Sequence, residues 1–313
     1  MKNCKKHFIV ALIVLAIGQF LAPMTARAQV VEVGGNVGLS YYMGDLNPNK
    51  PFVQSDFGWG LLVRYYENTR WAFRFSYSNL KLNGSDKASG YRPERGLSFH
   101  SKVNDFAVIA EFNFFDYFTG SKRNGLSPYI FAGVSIFTFN PKADDGTELH
   151  DQFTDVIYAT AVDSLGTEYE YQKKTDYNTI AVSIPFGVGV KYSISSRLGM
   201  TIEWRWDYTF TDWIDDCHGY YPTFGPEKVL DDHGHWTGEY ETPAYVQYSD
   251  PTGFATEPDP YHPGLSMNDK SYIQRGNKDD NDWFGYLSVS ITYKFNLPNG
   301  NGCNKKERYK NFD

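Results

Sequence analysis

Period-two alternation carried beyond the length of a soluble strand constrains this chain more than any other feature. From Val31 to Tyr41, residues Val31, Val33, Gly35, Val37, Leu39 and Tyr41 fall on one face, and Glu32, Gly34, Asn36, Gly38 and Ser40 on the other, over eleven residues. Soluble strands usually run about five or six residues, whereas about 9 to 11 tilted residues cross a bilayer as a barrel strand. Seven further segments alternate in the same way. They centre on Phe57–Tyr65, Trp71–Tyr77, Phe106–Phe114, Tyr129–Phe139, Ile180–Tyr192, Leu198–Phe210 and Gly285–Phe295. Leu198–Phe210 is the cleanest, with Trp204, Trp206 and Tyr208 against Glu203, Arg205 and Asp207. In the fifth segment both faces are apolar, and Pro185 in the sixth is tolerable at a bulge.

The spacing of the segments points the same way. Their connections run roughly fifteen, four, twenty-five, thirteen, forty, five and seventy residues. Short turns alternating with longer loops are the habit of bacterial outer-membrane barrels, and an even strand number puts both termini at the short-turn end. The expected fold is all-β, an eight-stranded antiparallel transmembrane β-barrel of outer-membrane type with long extracellular loops. A ten-stranded barrel recruiting pieces of the last loop and a soluble β-sandwich are the alternatives.

Residues 1–28 have the order of a secretory signal peptide: Lys2, Lys5 and Lys6, an apolar run from Phe8 to Ala22, then Ala26-Arg27-Ala28. Beyond them no apolar run of eighteen residues remains for a transmembrane helix. Aromatics nevertheless make up 17% of the chain at a mean hydropathy of −0.48. Interfacial girdles of rings around a barrel with a polar interior account for both numbers. Cys217 and Cys303 fall on opposite sides of the expected membrane and so should not pair.

Removing the leader's four basic residues takes the net charge from −7 to −11. The acidity sits in the long loops, with nine acidic and three basic residues over 140–178 and fifteen against four over 211–282. The face opposite the apolar one carries Arg64, Arg74, Glu111, Lys191, Glu203, Arg205, Asp207 and Lys294. An eight-stranded barrel is only wide enough for side chains to fill it, so these mixed charges are expected to pair inside and close the lumen. Nucleic acid is excluded as a partner by the acidic balance and the lack of a basic stripe. No phosphate-cradling glycine loop and no cofactor motif is present.

The first strand runs into Tyr41-Tyr42-Met43-Gly44-Asp45-Leu46-Asn47-Pro48. This Y-Y-x-G-D-L-N-P ending directly after a signal peptide resembles small outer-membrane barrel proteins of Bacteroidota related to PorG, a component of type IX secretion, and the layout extends the resemblance loosely to Phe295. The resemblance implies a non-enzymatic outer-membrane component that couples a periplasmic ring lipoprotein to the outer membrane, beside other outer-membrane secretion components and membrane lipids. Gly44, Asp45, Leu46 and Asn47 suit a turn, or a loop docking on a barrel neighbour. The segment 296–313, a periplasmic tail after a 29–295 barrel, offers Lys305, Lys306, Arg308 and Lys310 as docking residues. Two rival functions stay open. One is a surface ligand-binding or adhesion barrel using loop 211–282. The other is a rim hydrolase of lipid A or peptides built from Asp212, Asp215, Asp216 and His218 with Ser98 and His100. Asp231, Asp232, His233 and His235, with Glu239 and Glu241, have metal-ligand types in no established spacing, and no metal is assigned.

Overall fold

The computed structural model describes residues 30–296, except 122, 153, 163–167, 175, 223–226, 231–235, 242–244 and 254–273. Side chains are described outside 157–173, 227–241 and 296. The leader, the tail with Lys305, Lys306, Arg308 and Lys310, and residues Cys303, His233, His235 and His262 lie outside the described residues.

Eight long antiparallel strands form a closed barrel: β1 (Val30–Met43), β2 (Asp56–Tyr66), β3 (Trp71–Ser85), β4 (Ser98–Asn113), β5 (Leu126–Thr138), β6 (Ile180–Ser193), β7 (Leu198–Thr209) and β8 (Trp283–Asn296). Each strand pairs with its neighbours in the chain, and β8 closes on β1 in unbroken register from Val30↔Asn296 to Met43↔Trp283. Closure removes the unpaired edges that an open sheet would present. Two short hairpins, Val156–Val162 with Glu168–Lys174 and Glu227–Leu230 with Trp236–Glu241, form sheets of their own in the loops, and among the described residues the last loop adds no strand to the barrel.

The alternation sorts by face. Leu61 and Phe75 (58% exposed), Val134 (60%) and Ile291 (56%) point outward, while Arg64, Glu111 and Lys191 are at most 1% exposed inside. Apolar side chains that open to the exterior, over a charged interior, make this the outer-membrane type of barrel. Rings gather toward both ends of the outer wall. Trp59, Tyr77 and Phe106 pack in T-shaped and tilted pairs nearer the loops, and Trp71, Phe112 and Phe114 likewise near the turns.

One expectation changes and one open choice is settled. First, the connection between β3 and β4 is 86–97, twelve residues rather than twenty-five, because both strands run on past the band of exposed apolar residues. Leu80 and Leu82 of β3 and Phe99 and Val103 of β4 turn inward there and bury against loop residues. Asn79, Lys81, Asn83 and Lys102 on the outer face made this stretch look like loop. Second, β5 turns Tyr129 and Phe131 into the lumen and Ile130, Val134 and Ile136 outward. Glycines opposite decide this. A Cβ on Gly189 would lie 2.6 Å from the Tyr129 ring, and one on Gly187 2.6 Å from the Phe131 ring.

The remaining connections run 44–55, 139–179 and 210–282 at one end, and 67–70, 114–125 and 194–197 at the other, where Val30 and Asn296 also lie.

Candidate functional site

Among the described residues, ten charged side chains fill the lumen. Five are basic (Arg64, Arg74, Lys191, Arg205, Lys294) and five acidic (Glu32, Asp105, Glu111, Glu203, Asp207), all of them buried. Glu111 of β4 is the hub: Arg64 Nε lies 2.8 Å from it, Lys191 Nζ 2.6 Å and Arg74 Nε 3.2 Å. Arg64 also reaches Glu32 of β1 at 3.1 Å, and Arg74 grips both oxygens of Glu203 at 2.5 and 3.0 Å. Nearer the loops, Arg205 bridges Asp105 and Asp207, each at 2.7 Å. Aromatic groups fill what the charges leave. The Tyr129 hydroxyl donates to Glu203 at 2.5 Å, and Lys191 Nζ sits 4.6 Å from the centre of that ring. At the turn end the plug is sealed by Lys294, which donates to the Thr119 carbonyl, while Thr119 donates to Glu32. A void beside Arg74, Glu203 and Arg205 measures about 10 Å³, room for about one water.

All eight interior charges expected from the alternation lie in this plug. Glu32 and Asp105 complete it. Both sit on polar faces of alternating segments, so their positions were visible in the sequence, but the cross-barrel pairing was not. Tyr66, Tyr117 and Tyr129 left no such signal, because an inward tyrosine and an interfacial one look alike.

Over the plug the four long loops fold into a cap. Its apolar core includes Tyr42, Leu46, Leu82, Phe99, Phe139, Ile214, Cys217 and Phe284. Two buried arginines tie the loops together. Arg95 holds Asp86 at 2.6 Å and donates to the carbonyls of Asp45 (2.9 Å) and Arg275 (2.5 Å). Arg275 lies 3.5 Å from Asp155, which also accepts the Gly219 and His218 amides at 2.9 and 3.0 Å. Residues 212–219 and 275–282 of the long last connection are therefore part of the lid.

The Gly44–Asn47 stretch turns inward as well. Gly44 and Asn47 exchange backbone hydrogen bonds of 3.2 and 3.0 Å, Leu46 and Asn47 are buried, and Asp45 Oδ2 accepts the Asn277 amide at 2.8 Å. Its polar groups are satisfied within the chain, which leaves Pro48 and Asn49 exposed beyond it.

Beneath the cap, carboxyls crowd together. Tyr42 donates to Asp215 at 2.5 Å and to Asp282 at 3.0 Å. Burial, reinforced by neighbouring carboxylates, pushes Asp215 and Asp282 well above the usual carboxylate range and Asp212 up to about 10. Burial also raises Asp155 to about 7 against the opposing pull of Arg275. Asp212 meets His218 Nδ1 at 2.7 Å, and burial lowers the imidazole's affinity for a proton. Among the described residues no serine, threonine or cysteine side chain bonds the other nitrogen of His218. Ser98 and His100 instead line a separate groove with Asp144. Asp45, Asp215 and Cys217 bring ligand atoms within 4.8 Å of one another. Both Asp215 oxygens are engaged by Tyr42 and the Cys217 amide, and the thiol donates to the Arg275 carbonyl, so the group serves as a hydrogen-bonded core.

A model of a domain of unknown function, DUF6089, matches residues 6–162. No curated protein matches the chain. Among solved structures, the outer membrane protein OprG from Pseudomonas aeruginosa is similar at 11% identity and a TM-score of 0.37, over 86% of this chain and 97% of that one. Neisserial surface protein A aligns at 11% identity and 0.35, over 87% and 99%. The N-terminal β-barrel domain of Pseudomonas aeruginosa OprF aligns at 10% and 0.32, over 87% and 100%.

Proposed function

The chain belongs to the DUF6089 family, a domain of unknown function, and from that premise we propose that it is a non-conducting, non-enzymatic outer-membrane barrel that anchors a periplasmic ring of a type IX secretion machine. The observation that carries the non-conducting half is the neutral, ion-paired plug under a folded cap. Secreted protein has no route through such a lumen, which suits an anchor or assembly factor and not a conduit. The Y-Y-x-G-D-L-N-P resemblance supports the type IX assignment. The shared end of Val30 and Asn296 beside the short turns supports periplasmic termini, an outer-membrane location after export through the 1–28 leader, and a tail that starts on the side of a periplasmic lipoprotein.

On this reading Lys305, Lys306, Arg308 and Lys310 make the periplasmic contact, and membrane lipids surround the belt. The test is affinity purification of the tagged protein from detergent-solubilised envelopes, full length and truncated after Asn296, with mass spectrometry of what is retained. Recovery of a periplasmic ring lipoprotein with the full chain and its loss on truncation is the expected result. A barrel recovered alone from both sinks the anchor role and moves the surface-binding function ahead.

A further inference from the structure

Above the band of exposed apolar residues, the outer wall of the β3–β4 hairpin carries an ordered ladder of cross-strand pairs. Ascending toward the loops these are Phe75↔Val108, Tyr77↔Phe106, Asn79↔Asn104, Lys81↔Lys102, Asn83↔His100 and Ser85↔Ser98. Phe75 and Val108 are exposed apolar side chains. Tyr77 and Phe106 form the ring level with Trp59. The amides above are locked, since Tyr77 Oη and Asn79 Nδ2 both donate to Asn104 Oδ1 at 2.9 and 2.8 Å.

Lys81 and Lys102 come next, both exposed and directly opposite each other. Like charges in that relation repel. Neither ammonium forms an ion pair with a carboxylate among the described residues, although the protein carries a net charge of −7 and its loops are rich in acid. The pair lies four residues above the aromatic level. At about 3.3 Å per residue and a tilt of about 40°, that is roughly 10 Å along the barrel axis, where the hydrocarbon gives way to headgroups. Long lysine stems can lower the charges further toward the interface.

One pair higher an open polar groove begins. It has a volume of about 350 Å³, with Asn83, Ser85, Ser98 and His100 as its floor and Gln54 and Asp144 at its edges. The Gln54 amide, the Ser85 hydroxyl and the His100 ring make no side-chain hydrogen bond within the described protein. Gln54 also holds a left-handed backbone, φ 59°, as does Phe52 at 67°, a conformation that costs energy for residues with a side chain.

We propose that this wall binds one phosphorylated glycolipid of the outer leaflet. A phosphate sits between Lys81 and Lys102, the sugar hydroxyls lie on Gln54, Ser85 and His100 beside Asn83 and Ser98, which already donate to Asp56 and Asp144 at 3.1 Å each, and the acyl chains run down past Phe75 and Val108. The continuity of the lysines with an apolar wall below and a hydroxyl- and amide-lined groove above selects a lipid over a free anion. This inference rests on the outer-membrane reading above.

The test uses the full-length barrel, refolded in detergent, with diphosphoryl lipid A as probe and native mass spectrometry as readout. One lipid A is expected to be retained per barrel. Affinity should fall roughly fivefold in Lys81→Gln or Lys102→Gln and roughly twenty-five-fold in the double variant. Lys87→Gln, an exposed loop lysine, should leave binding unchanged. Heat-modifiable gel mobility verifies that each variant is folded. Equal retention by wild type and the double variant overturns the proposal, as does equally strong binding of lipid A stripped of its phosphates. Displacement by millimolar inorganic phosphate would instead make this a free-anion site and also overturn it. Insertion into phosphatidylcholine liposomes is measured alongside. A barrel that inserts but shows no lysine-dependent lipid A binding refutes this site alone, whereas one that fails to insert refutes the membrane reading.

Discussion

At the scale of single residues, the lumen is decided by Glu111. Three cations from β2, β3 and β6 converge on its carboxylate, and no other acid of the plug touches as many. Removing one member of a buried charge network leaves the partners uncompensated, which typically costs about 3 to 5 kcal/mol. Glu111→Gln keeps the shape and removes the charge, so urea unfolding of the refolded barrel should show a loss of that size. Arg70→Gln, whose pair with Asp116 is exposed at the turn end, should cost little. The cap supplies the pH dependence. Asp155 and Asp212 have folded values raised to about 7 and about 10, so the folded cap holds Asp155 protonated below about pH 7 and Asp212 protonated through neutral pH. Their stabilisation is complete below the ordinary carboxylate value of about 4 and is lost as pH rises, through about 7 for Asp155 and about 10 for Asp212. Near-ultraviolet circular dichroism, which reads the Trp213 ring stacked 4.5 Å from Tyr177, should therefore weaken between pH 5 and pH 9 while the far-ultraviolet strand signal holds. Asp212→Asn should flatten the alkaline part of that curve.

At the scale of elements, inward and outward faces are set by how large and small side chains interlock across strands. Gly187 and Gly189 of β6 make room for Phe131 and Tyr129 of β5. A side chain at Gly187 would also place its Cβ 2.2 Å from the Trp204 carbonyl of β7, which is backbone and cannot step aside. Gly187→Val is accordingly expected to block closure of the β5–β6–β7 wall. The variant should lose the heat-modifiable gel shift of a folded barrel, whereas Ile130→Val on the outer face of the same region should keep it. The same interlocking explains why the faces of β5 were ambiguous in its own sequence: either face is apolar, and only the glycines across the sheet break the tie. The β3–β4 extension carries a related lesson. Polar outward residues at Asn79, Lys81 and Asn83 signal a loop to a hydropathy reading, while the inward leucines pair with a cap that a local window cannot see.

At the scale of the whole molecule, plug and cap together make a sealed cylinder. Planar-bilayer recordings of the wild type should show no steady ion conductance. Arg74→Ala combined with Glu203→Ala removes the bidentate pair across the middle of the lumen beside the existing void, and should produce measurable openings if the barrel still folds.

Strand number, the alternation of faces in every strand but β5, and the charges of the inward face were legible in the chain alone, whereas the full length of β3 and β4 was not. The reason is that a barrel strand is read with a strict period of two, and each face meets one solvent, hydrocarbon outside and a closed lumen inside. The Tyr41–Pro48 ending was equally visible, and so was its fitness for a turn. What the tertiary structure alone decided lies between elements far apart in sequence: which lumen carboxylate meets which cation, and the gathering of Asp45, Asp155, Asp212, Asp215 and Asp282 under one lid. It also decided the conversion of parts of a seventy-residue connection from a free arm into that lid, and the stacking of Lys81, Lys102 and His100 above a lipid-facing wall. Such contacts depend on register around the closed circumference and on loops folding back over the mouth, and neither leaves a periodic trace in the sequence.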